Sequence, residues 1–84
     1  MTLTPIITLL REVELEVERQ DAKHGPYTGT RLGRSRLALA TLEDELNEAI
    51  QAWRDERHAP EWLLTRTEVL QIAAVAIRAI RDAL

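Results

Sequence analysis

The chain has 84 residues, 45% of them apolar, with no cysteine, no phenylalanine and a formal net charge of −3. This excludes a disulfide framework, a thiolate metal site and a thiol nucleophile, so any chemistry rests on carboxylates, histidine or a bound metal, and the expected setting is cytoplasmic. A single domain of residues 1–84 would bury only about 60–65% of the surface its unfolded chain exposes, a thin core for a monomer.

Thr4-Pro5 reads as an N-cap followed by proline at the first helical position, and Gly25-Pro26 as a stop. Helix one is therefore predicted over about 5–24. No basic start or small-residue cleavage site surrounds Met1, so no signal peptide is expected. The stripe Ile6, Leu10, Val13, Val17 continues into Gln20, Asp21 and His24, turning from apolar to polar in the last turn. Such a seam either leaves the core or opens into a pocket. Alternation from Val13 to Glu18 imitates a strand, but the longer helical stripe and the signals at both ends favour the helix.

Residues 19–36 carry a net +4 between acidic stretches, through Arg19, Lys23, Arg31, Arg34 and Arg36. That segment suits a small anion and is too limited for duplex nucleic acid. Gly25 to Gly33 holds all three glycines and is predicted as a loop of about nine or ten residues. Ser35 is placed to cap a second helix over about 35–57, ended by His58-Ala59-Pro60.

On helix two, Leu39, Leu42, Leu46, Ala49, Ile50 and Trp53 fall within roughly 60° of Leu46, which predicts a buried face with Trp53 in the core. Glu45 and Glu48 lie about 100° and 160° to one side of it, and Asp44 leans toward the same space from one turn before Glu48. An E-x-x-E pair on a helix is more often a solvated face than a site.

Helix three is predicted over about 61–83 and is apolar nearly all round after Gln71. Three helices cannot cover such a surface well, so the expected architecture is all-α: an antiparallel bundle of three main helices, completed as a homodimer or higher homo-oligomer pairing these helices. Trp62, just after Pro60, is placed for the bundle end or a subunit contact. The longest uninterrupted apolar run, residues 72–77, is too short to span a membrane. Glu68 lies about 40° from Ile72 within the apolar face, where a carboxylate needs a cation or donor; Gln71 is one turn on. Alternatively, Thr65-Arg66-Thr67-Glu68 is a capping box at a later helix start. Carboxylates from two antiparallel helices would form a hard-oxygen site suited to Mg²⁺ or Mn²⁺.

Asp44-Glu45-Leu46-Asn47-Glu48 resembles the E-E-x-x-E motif of the MazG-like all-α NTP pyrophosphatases, and Glu68-Val69-Leu70-Gln71 stands at their second motif, E-x-x-D. Glu18 to Gly25 and Gln71 to Ala76 are similar to the flanks of those motifs in small members. The resemblance covers residues 12–80 and implies an oligomeric, Mg²⁺-dependent enzyme splitting a nucleoside triphosphate into monophosphate and pyrophosphate. It implies Glu45, Glu48 and Glu68 as metal ligands, with Gln71 at the fourth ligand position and Asp44 orienting a water. Gln71 replaces an aspartate, Asn47 stands where glycine is common, and three helices stand where larger members carry a fourth. Weak or altered activity, or a non-catalytic helical oligomer binding a nucleotide or protein partner, is the alternative implied. Arg19, Lys23, the loop arginines Arg31 and Arg34, Asp21 and His24 are the candidates for substrate contacts; the cations also complement a helix C-terminus, and His24 is equally a capping or hydrogen-bonded residue.

Overall fold

The computed structural model describes residues 3–59 and 61–84, and its described residues form three helices and no strand. Helix α1 spans Ile6–His24, α2 Arg31–Glu56 and α3 Leu63–Asp82. The first starts one residue later than expected: Pro5 precedes it, and its carbonyl accepts the Thr8 and Leu9 N–H groups at 3.0 and 3.1 Å. Its end is as expected. Gly25 takes φ +71°, in the left-handed region that favours glycine, while its N–H closes on the Asp21 carbonyl at 2.8 Å.

The α1–α2 loop is shorter than expected because Thr30, not Ser35, caps α2. The Thr30 Oγ1 accepts the Gly33 N–H at 3.0 Å. A Cβ on residue 33 would itself stand 3.0 Å from that hydroxyl, so glycine in this first turn serves the cap. Ser35 is helical and donates its hydroxyl to the Leu32 carbonyl.

Helix α3 begins at Leu63, later than expected, and its exposed N–H groups are met from the end of α2. Glu56 accepts from Leu64 N and Thr65 N, both at 2.8 Å, and from the Thr65 hydroxyl at 2.9 Å. These bonds outweigh partial desolvation and hold the Glu56 carboxyl below its ordinary pKa. Thr65 is thus inside the helix, and the Thr65–Glu68 capping box is not formed.

Helix α3 packs against both α1 and α2. The buried apolar residues are Ala38, Ala49, Ala74, Val75, Ala79 and Ala83, with Tyr27 laid against Ala38, Ala79 and Ala83. Small side chains let the backbones approach, at the cost of a core with little apolar volume. The face of α2 turned to α3 follows Ala38, Leu42, Glu45, Ala49, Ala52 and Glu56, all buried or half-buried, at alternating spacings of four and three. This row lies about 80° around the helix from Leu46. The predicted stripe is therefore corrected: Leu39, Leu46, Ile50 and Trp53 are exposed, Leu39 by 54% and Trp53 by 41%. The helix-one stripe is likewise covered only from Val13 onward, with Ile6 and Leu10 exposed.

Much apolar surface stays open. The accessible area is 6294 Å², against about 5,100 Å² for a compact monomer of this mass. The Cα radius of gyration is 14.1 Å, against about 12 Å for a compact chain of this length. Among the described residues no helix is long and apolar enough to cross a membrane.

Candidate functional site

A cleft of about 710 Å³ opens between α1 and α2 with α3 as its floor. Arg19, Gln20, Lys23 and His24 line the α1 wall, Leu37, Thr41, Glu45 and Glu48 the α2 wall, and Gln71, Val75 and Arg78 the floor. Residues 25–28 close one end. The polar last turn of α1 thus opens into a pocket rather than leaving the fold.

At one end the helices bring three acids together. One carboxylate oxygen from each of Glu45, Glu48 and Glu68 lies within 4.8 Å of the other two. Glu45 and Glu48 reach this point because they are one turn apart on α2, and Glu45 belongs to its inward row. Glu68 comes from the facing helix. Desolvation first, then the charges of Glu48 and Glu68, push the Glu45 carboxyl above its ordinary pKa. Glu68 is raised by desolvation and by Glu48. With its amide oriented to pair donors with acceptors, Gln71 places Nε2 3.1 Å from Glu68 Oε2 and 3.2 Å from Glu45 Oε2. Asp44 is exposed and lies outside both the cleft lining and the carboxylate trio.

At the other end two arginines are paired with two carboxylates. Arg78 is 3% exposed; its Nε donates to Asp21 Oδ1 at 2.8 Å, another nitrogen donates to the Gly25 carbonyl, and its guanidinium lies 5.1 Å from the Tyr27 ring centroid. Arg81 grips the same Asp21 through two bonds of 2.9 and 2.8 Å and also holds Asp82. These two arginines, Arg81 foremost, hold the Asp21 carboxyl at about 2. Asp21 does not line the cleft; its place is a clamp between α1 and α3. Arg19 lines the cleft but is gripped by Glu16 at 2.8 and 2.6 Å, while Arg34 donates to the Gly29 carbonyl and serves its own loop. Lys23 and His24 face the cleft.

Sequence reasoning missed Arg78 and Tyr27, and it placed Gln20 on the inward seam without giving it a role. The signal for Arg78 was present: Glu68, Gln71, Val75, Arg78 and Asp82 recur at spacings of three and four, one polar row down the inner face of α3. The apolar residues around it hid that row. Gln20 is held at the centre of the cleft by Glu16, by the Gln71 carbonyl and by Arg78.

Comparisons with protein-family models, with curated proteins and with solved structures found no match.

Proposed function

We propose that the cleft hydrolyses a nucleoside triphosphate to the monophosphate and pyrophosphate with Mg²⁺ or Mn²⁺, as the resemblance to MazG-like pyrophosphatases implies. The observation that carries this reading is the convergence of three carboxylates from two helices, with no ion pair to any of them among the described residues, two of the three lining a cleft whose α1 wall carries Arg19, Lys23 and His24. The donor set fits a hard divalent ion: three carboxylate oxygens within 4.8 Å, against about 4.2 Å between opposite ligands of one Mg²⁺ and roughly 5 Å for Ca²⁺. Glu45, Glu48 and Glu68 would hold the ion, with the Gln71 amide oxygen as a further neutral ligand. When bound, such an ion neutralises phosphate oxygens and lowers the pKa of an attacking water.

The chain's own side chains supply the rest. Lys23 and His24 line the α1 wall of the cleft and would receive phosphate oxygens, joined by Arg19 once it loosens from Glu16. Tyr27 and Leu37 offer apolar surface for a base. Asp21 is assigned to the clamp instead of substrate, because both of its oxygens are already taken by arginines.

Purified protein incubated with Mg²⁺ and a panel of nucleoside triphosphates is expected to release pyrophosphate, with loss of release in Glu45→Gln and Glu48→Gln. Release that survives both substitutions refutes the site. A second reading, a nucleotide-binding module without turnover, draws on Gln71, which leaves the site one negative charge short of four carboxylates. Nucleotide binding without pyrophosphate release distinguishes it.

The reading includes a homo-oligomer. The surface excess over a compact monomer is about 1,200 Å², and a stable interface removes roughly 800 Å² from each partner. The outward row Leu39, Leu46, Ile50 and Trp53 on α2 is the first candidate face, and Ile77 and Ile80 on α3 are exposed as well. Sedimentation at micromolar concentration showing only a 9.6 kDa species excludes this part of the proposal.

A further inference from the structure

We infer that Gln71 is a built-in donor that holds Glu45 and Glu68 together in the metal-free protein, and that its amide turns over when a cation enters; the second half rests on the metal reading above. Three carboxylate oxygens within 4.8 Å repel one another, and no arginine or lysine bonds to them among the described residues. The Gln71 amide supplies the two N–H groups available at the point of closest approach. With the amide nitrogen turned toward the acids, the orientation that pairs donors with acceptors, it lies 3.1 Å from Glu68 Oε2 on its own helix and 3.2 Å from Glu45 Oε2 on α2. Two donors on one nitrogen thus tie α2 to α3 through acids that otherwise push them apart.

The position of the amide is itself supported. Gln71 sits one turn after Glu68 on α3, and its backbone carbonyl accepts a 3.4 Å bond from the side chain of the buried Gln20 of α1. An aspartate at 71 would be shorter, would bring a fourth negative charge and would offer no donor. Glutamine differs in kind because its terminal torsion exchanges nitrogen for oxygen in nearly the same place. Nitrogen toward the carboxylates suits the protein alone; oxygen toward them suits a cation among the same three acids. A metal must therefore displace two hydrogen bonds as it binds, which makes the site preformed and its affinity modest.

The test uses the full chain at one protein concentration, in EDTA and then with Mn²⁺, comparing wild type with Gln71→Leu and Gln71→Glu. In EDTA the melting temperature of Gln71→Leu is expected to fall by about 5 °C and that of Gln71→Glu further. Mn²⁺, read by calorimetry, is expected to bind Gln71→Glu about tenfold more tightly than wild type and to restore its melting temperature. In the wild type, side-chain amide NMR is expected to show Gln71 hydrogens protected from exchange in EDTA and released on adding Mg²⁺. A Gln71→Leu protein that melts like wild type in EDTA, or Gln71 amide hydrogens that exchange freely there, overturns the donor role. That result leaves the metal reading standing if Glu45→Gln abolishes Mn²⁺ binding. Destabilised variants with no Mn²⁺ binding in any form would keep the donor role and defeat the turning amide and the metal reading together.

Discussion

Two polar clusters share the inner row of α3, and they are built on opposite electrostatic terms. Around Asp21, two guanidiniums meet two carboxylates, every charge has a partner, and the Asp21 and Asp82 carboxyls are held below their ordinary pKa, chiefly by Arg81. Around Glu45, three carboxylates meet one neutral amide, and the Glu45 and Glu68 carboxyls are pushed above theirs by desolvation and then by the neighbouring Glu48. The first is satisfied and binds helices together. The second is left short of positive charge, and the proposed metal site rests on that shortage.

The contrast breaks most sharply under substitution. Neutralising Glu45, Glu48 or Glu68 to glutamine is expected to lower pyrophosphate release by about a hundredfold or more, read as kcat at saturating Mg²⁺. Arg78→Met is expected to cost about 3 kcal/mol in urea unfolding, because it removes a buried cation and leaves the Gly25 carbonyl and part of Asp21 without a donor. Its structural origin would show as an equal loss in the presence and absence of metal.

Smaller effects carry opposite signs at the two clusters. In EDTA, Glu45→Gln is expected to stabilise the fold by about 1 kcal/mol, since it removes a half-buried charge facing like charges. Were it to destabilise, the acids would already be compensated and the contrast would fail. The pH dependence follows the same division. Asp21, at about 2 against an ordinary 3.8, supports the fold above pH 3.8 and loses that contribution as pH falls toward 2. Asp21→Asn is expected to flatten this acid limb. Glu45, raised in the folded state, opposes folding when ionised, so its penalty is relieved as pH falls through the raised pKa. Metal-free wild type should therefore gain on Glu45→Gln as a melt is moved from neutral into mildly acid buffer.

How far the fold was legible differs between residues. The Gly25 stop and the seam change at Gln20 were readable because backbone conformation and side-chain polarity act locally. The face of α2 was not. A stripe drawn from leucine, isoleucine and tryptophan selects Leu46, but the face in contact with α3 runs through Ala38, Ala49 and Ala52, because small residues permit close approach and large ones suit a broader surface. Thr30 displaced Ser35 as the cap because Gly33 leaves room for its hydroxyl bond. Of the site, Glu45 and Glu48 followed from their spacing and Glu68 from its place on an apolar face. Asp21 was visible as an inward acid, but its partners Arg78 and Arg81 lie more than fifty residues along the chain.

By itself, then, the sequence determined three helices, most of their ends and the pairing of acids along α2, since these depend on capping, proline and glycine geometry and a period of 3.6 residues. Only the tertiary structure decided the rotation of α2 about its axis. That rotation brings Glu45 inward beside Glu68 and Gln71 and leaves Leu39, Leu46 and Trp53 outside. The physical reason is that helix packing is settled by the size and shape of facing side chains on two helices at once, which no single stripe contains.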